Sequence, residues 1–184
     1  MAQVSESEVR RLVREAVERA LARPSEAPGP AAGGRERVAI GADHGGYALK
    51  EVLKRFIAEE LDWEVHDCGT HSGEAVDYPD YAAAVARTVA SGECGRGIVV
   101  DAAGIGSTMA ANKIPGVRCA LCHDDATVRN AREHNDANVL ALGARVVNRG
   151  LATRMVRLFL ATPFGGGRHE RRVQKIMALE RGTG

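Results

Sequence analysis

Apolar and polar positions change period along this chain. Over residues 1–23, Val9, Leu12, Val13, Ala16, Val17, Ala20 and Leu21 recur at the i, i+3, i+4, i+7 spacing of one helical face. Arg10, Arg11, Arg14, Glu15, Glu18 and Arg19 fill the other face. Ser5 stands three residues before Glu8, the spacing of a capping box, and Val4 and Val9 are placed as a hydrophobic staple. Residues 24–34 then hold three prolines and three glycines and read as a flexible linker. From residue 35 to 184, short β-rich runs alternate with amphipathic stretches. "RVAIGAD", "WEVHDCG", "GIVVDAAG", "VRCALC" and "ANVLALG" read as strands. "GYALKEVLKRFIAEEL", "YPDYAAAVARTVASG", "STMAANK" and "DATVRNAREH" read as the helices between them, and two more are expected at about 150–161 and 169–182.

Strands alternating with helices predict a five-stranded parallel sheet covered on both faces. The expected fold is α/β, a Rossmann-like three-layer sandwich, with the N-terminal amphipathic helix tethered to it. Ligands in such folds bind beyond the carboxyl ends of the strands. The predicted strand ends carry Asp43-His44, Asp67 to Thr70, Asp101 to Gly106, His123-Asp124 and Gly143 to Arg145. A site on that edge is the expectation.

Composition narrows this picture modestly. The formal net charge is +1, so the whole chain has no electrostatic footprint for nucleic acid, and 4% aromatic residues are too few for a base-stacking platform. No apolar run approaches the ~20 residues of a membrane span, and the N-terminus lacks a signal-peptide apolar region, so a cytoplasmic protein is expected. Cys119 and Cys122 form a single CxxC inside an apolar run; with no second pair nearby they read as buried structural thiols rather than a metal or redox site. The N-terminal helix is marginal alone and needs a surface, either its own domain, a second copy, or another protein. Its Val, Ala and Leu face lacks the aromatics of a membrane-surface helix.

Three stretches could carry chemistry. Gly104 and Gly106 in the loop Ala102 to Ser107 allow close backbone approach, and N–H groups at the following helix start attract an anion. Asp43 either caps a helix or faces a ligand. "REHNDAN", residues 132–138, packs ionisable and amide groups and is not expected to belong to the core; a histidine there, His134, suits general acid–base work. Arg145, Arg168 and Arg172 either clamp a phosphate or are simply solvated.

The stretches "AIGADHGGYALKEVLK", "CGTHSGEAVDYPDYA", "GIVVDAAGIGSTMAANKIPGVRCALC" and "REHNDANVLALGARVV" resemble the ribose-5-phosphate isomerase B family, which includes the galactose-6-phosphate isomerase subunits. The resemblance spans about 35–182. It implies a homodimer, sometimes a tetramer, that isomerises aldose and ketose phosphates through an enediol(ate), with no metal or cofactor. It implies Asp43 on sugar hydroxyls, His44 on the phosphate side, and Asp77 and Tyr78 lining the pocket. The amides of Ala103, Gly104, Ile105 and Gly106 would stabilise the enediolate. His134 would assist ring opening beside Asn135, and Arg145, Arg168 and Arg172 would bind phosphate, some across the dimer. Many members read C-G-T-G-I-G where this chain reads "DAAGIG". Asp101 replaces the cysteine base, Ala103 the threonine, and Ser107 stands where another branch keeps a glutamate. Either Asp101 is the base, its pKa raised in a dry pocket beside other acids, or the site is retuned to another phosphorylated sugar or to binding alone. Residues 1–23 resemble encapsulation peptides that bind bacterial microcompartment shell proteins, a role that would place the protein inside a microcompartment as cargo.

Overall fold

The computed structural model describes residues 36–180. The expected N-terminal helix, its capping box and the linker lie outside them. Five strands form one parallel sheet: β1 (Arg37–Ala42), β2 (Glu64–Asp67), β3 (Arg96–Asp101), β4 (Cys119–Leu121) and β5 (Val139–Gly143), in the order β2-β1-β3-β5-β4. The helices are α1 (Tyr47–Glu60), α2 (Tyr78–Ala90), α3 (Ile105–Ala111), α4 (Asp125–Asn135), α5 (Arg149–Ala161) and α6 (Glu170–Leu179).

Alternation along each strand divides the core into two layers. Val38, Ile40, Ile98, Val100, Leu140 and Leu142 face α1, α4 and α5, meeting Leu53, Ile57, Val128, Met155 and Phe159. Ala39, Val99, Val139 and Ala141 face α2 and α3, meeting Ala82, Val85, Ala86 and Ala111. The second face carries smaller residues and sits under a closer helix. A Cβ on Gly97 would come within 2.7 Å of Val85, so glycine lets α2 approach.

Two elements differ from expectation. Helix α3 begins at Ile105, two residues before the expected "STMAANK", because Gly104 takes a left-handed conformation (φ 81°) that turns the chain into the helix at once. Strand β4 is only Cys119–Leu121 within the expected "VRCALC". Its preceding residue, Arg118, gives its N–H to the Asn138 side chain at 2.7 Å instead of to a strand. No helix among the described residues is long and apolar enough to cross a membrane.

Candidate active site

The strand order reverses direction between β1 and β3: the chain goes from β1 outward to β2, then returns to β3 on the other side. Such a switch point opens a crevice at the carboxyl ends of the two strands. Asp43 directly follows β1, and Asp101 ends β3. Both carboxylates are buried.

Asp101 is heavily bonded. Its Oδ1 accepts from the N–H of Ala103 at 2.7 Å and from the N–H of Gly104, and its Oδ2 accepts from the N–H of Ser107 at 3.0 Å. The Ser107 hydroxyl also bonds the carboxylate. Burial alone would raise the Asp101 pKa, but the Ser107 side chain and the backbone N–H groups of Gly104, Ser107 and Ala103 reverse this and hold it below the usual carboxylate range. This corrects two expectations. The pKa moves down, because the neighbours are donors and not acids. The amides of Ala103 and Gly104 already serve Asp101, which leaves Ile105 and Gly106 as the loop N–H groups with no hydrogen bond among the described residues.

Asp43 differs. Its Oδ1 accepts from the Gly46 N–H at 2.9 Å and closes the turn before α1, whose N-cap is Gly46 with no side-chain cap bond, while Oδ2 accepts nothing among the described residues. The Asp43 turn lies on the Asp101 loop: a Cβ on Gly45 would stand 3.3 Å from that of Ala102. His44 is tied through Nδ1 to the Val76 backbone at 3.2 Å. The Tyr78 ring covers Gly106, where a Cβ would come within 2.5 Å of the ring. Asp77, exposed, precedes α2 with no side-chain cap bond. Arg145 joins this edge through its backbone N–H to the Ala102 carbonyl at 3.0 Å. Asp43, His44, Asp77, Tyr78, Asp101, the loop 103–106 and Arg145 therefore share one edge.

His134, Asn135, Arg168 and Arg172 do not join them. Helices in this architecture run back against the strands, so the end of α4 lies by the strand starts. Asp136, two residues after His134, accepts from Arg118, the residue before β4, at 2.9 Å. The length of β5, roughly 15 Å of sheet, lies between this end and Asp101. Here the His134 ring stacks on that of His169, centroids 4.1 Å apart and planes 4° from parallel. Arg168 and Arg172 flank His169, whose pKa falls through desolvation and the charges of His134, Arg168 and Arg172.

Two buried charges and one groove were not expected from the sequence. Arg132 of "REHNDAN" is fully buried core, bonding the carbonyls of Thr162 (3.1 Å) and Ala137 (2.6 Å) and the carboxylate of Asp136 (2.8 Å). Its polar neighbours in sequence masked this, since the apolar ring it lies over, Phe159 at 5.8 Å, comes from another helix. Lys50, also fully buried, bonds both oxygens of Asp67 at 2.7 and 2.9 Å. A lysine facing inward on the α1 apolar stripe was the available signal. A groove of about 420 Å³ along β4 touches only Asn135 among the expected site residues. Of the CxxC pair, Cys122 is buried as expected and Cys119 only half-buried; desolvation pushes Cys119 up to about 12 and Cys94 and Cys122 up to about 11.

A doubly wound parallel sheet with two carboxylates and a glycine loop at its switch point defines a small-molecule enzyme of the α/β class. The family model described as Ribose/Galactose Isomerase matches residues 38–176, and the chain belongs to that family. It is 43% identical over 145 residues to the ribose-5-phosphate isomerase B of Escherichia coli, covering 79% of this chain and 97% of that protein. Among solved structures it is similar to the ribose-5-phosphate isomerase B of Clostridium thermocellum (49% identical, TM-score 0.78, covering 80% of this chain and 99% of that one). The type B ribose 5-phosphate isomerase of Trypanosoma brucei is also similar (48% identical, TM-score 0.77, covering 80% and 100%).

Proposed function

We propose that the protein interconverts an aldose phosphate and its ketose, ribose 5-phosphate and ribulose 5-phosphate, through an enediolate. The observation that carries this reading is the switch-point crevice, where two buried carboxylates meet an amide-bearing glycine loop in a chain of this family. Moving a proton between C1 and C2 needs a base and a donor for the developing oxyanion. Asp101 has all its acceptor positions filled and acts as the anchor that shapes the loop. Asp43, whose Oδ2 accepts no hydrogen bond among the described residues, moves the proton. The free N–H groups of Ile105 and Gly106 receive the enediolate oxygen. Aldose–ketose interconversion measured with ribose 5-phosphate, then with six-carbon phosphates, tests the reading; no turnover of any sugar phosphate by a folded protein refutes it.

The active unit is a homodimer. In one protomer His134, Arg168 and Arg172 lie a strand length from Asp43 and Asp101, too far to serve the same sugar. A second copy related by a two-fold axis brings its histidine cluster to the first copy's crevice, where Arg145 and the partner's arginines would share the phosphate. Sedimentation of the full chain as a monomer at assay concentration would end this proposal.

Residues 1–23, joined through 24–34, serve as an address for a microcompartment shell protein. Support comes from their amphipathic pattern and proline-glycine linker. Fusing residues 1–34 to a fluorescent protein and co-purifying it with shell proteins tests this; equal recovery with and without the segment refutes it.

A further inference from the structure

His134 and Asn130 stand one turn apart on α4, with Asn130 Nδ2 at 2.9 Å from His134 Nδ1. The direction of this bond can be traced from a fixed point. The Asn130 backbone carbonyl can only accept, and Asn135 Nδ2 donates to it at 3.3 Å. The same Asn135 nitrogen lies 3.3 Å from Asn130 Oδ1. That orients the Asn130 amide, with its oxygen toward Asn135 and its nitrogen toward the ring. An amide nitrogen only donates, so His134 Nδ1 must accept and the ring proton sits on Nε2. A proton on Nδ1 would set two donors face to face.

The plane of the ring is set separately. Gly165 gives its N–H to the Glu133 carbonyl at 2.9 Å, and a Cβ at Gly165 would come equally close to that oxygen. This glycine contact brings the segment before α6 against the end of α4 and lays His169 flat on His134.

We propose that Asn130 is a positioning residue that holds His134 in the Nε2–H tautomer, with Asn135 orienting Asn130 and His169 fixing the ring plane. The catalytic consequence rests on the isomerase reading; the tautomer does not. In ring opening, the C1–ring-oxygen bond breaks with its electron pair going to the ring oxygen. That oxygen takes the Nε2 proton, the C1 hydroxyl proton leaves to water, and water restores the proton on Nε2. With the tautomer reversed, Nε2 would present a lone pair and could not donate.

The test is a long-range proton–nitrogen correlation spectrum of the full chain labelled with ¹⁵N-histidine, without ligand, at mildly alkaline pH, with His134 assigned by its loss in His134→Gln. The expected wild-type pattern is a bare Nδ1 and a protonated Nε2. Asn130→Asp, which offers only acceptors, should invert it, and Asn130→Leu should give a mixture. A wild-type Nδ1–H pattern overturns the proposal without any variant, and so does an unchanged pattern in Asn130→Asp. For turnover, Asn130→Leu should lower kcat about tenfold, a fraction of a full acid–base contribution, with KM within about twofold. The expected tautomer in a protein that turns over no sugar phosphate would refute the isomerase reading and uphold the tautomer.

Discussion

Replacing Asp101 with Asn separates an anchor from a base. The carboxylate accepts from three backbone N–H groups and a hydroxyl. Asn keeps the size and one oxygen. With that oxygen on Ala103 and Gly104, its amide nitrogen turns toward the Ser107 N–H, and two donors face each other. The loss of one charge-assisted bond, plus a buried N–H left unpaired, amounts to about 3 kcal/mol. A domain of this size loses roughly 3 °C of Tm per kcal/mol, so Tm should fall by about 10 °C while the protein still folds. The measurements are a calorimetric scan and the initial rate of ribose 5-phosphate isomerisation, with deuterium uptake from solvent read on the product. An anchor predicts the Tm loss together with a kcat reduced by about tenfold, through loosened loop amides. An unchanged Tm with kcat and deuterium uptake down by about a thousandfold would show Asp101 itself moving the proton, and the assignment to Asp43 would fall. The sign of the acid dependence follows from the lowered pKa. The contribution of Asp101 is present above the ordinary carboxylate range and is lost as pH falls below it.

The other expectations are more compact. Mixing Asp43→Asn protomers with His134→Gln protomers, each nearly inactive alone, should restore about a quarter of wild-type activity, because half the random dimers carry one intact site; no recovery after subunit exchange would refute a shared site. Burial raises the Asp67 pKa, but Lys50 and Lys54 outweigh it and bring it to about 2, so Asp67 should stabilise the fold by about 2 kcal/mol above pH 4. That stability should fade between pH 4 and about 2, and an Asp67→Asn variant with an unchanged acid-unfolding curve would contradict this. A Cβ on Gly46 would overlap the Val100 carbonyl oxygen, so Gly46→Ala should cost about 3 kcal/mol or more in denaturant unfolding, and an unchanged midpoint would refute the close approach. The thiols should resist alkylation at pH 8, since burial holds Cys119 near 12; modification at the rate of a free thiol would contradict it.

The element order, the two-sided burial of the sheet and the edge that carries Asp43 and Asp101 were legible in the residue pattern alone. Those properties depend on periodicity and on chain direction, which are local or follow from connectivity in a parallel α/β fold. The residue pattern also placed His134 and Arg168 among the chemically interesting residues, because their types and spacing stand out. What it could not determine was who touches whom. Arg132 reads as a surface charge until Thr162 and Phe159, some 30 residues later, close over it. Asp101 reads as a base until its own loop folds back and fills its acceptors, an outcome of backbone angles at Gly104 rather than of residue type. The separation of His134 from Asp101 is likewise a matter of tertiary direction. Helix α4 runs against β5, so residues adjacent in the chain's chemistry end at opposite edges of the sheet; the tautomer of His134 depends on an amide one turn away, and its ring plane on a histidine just before the last helix.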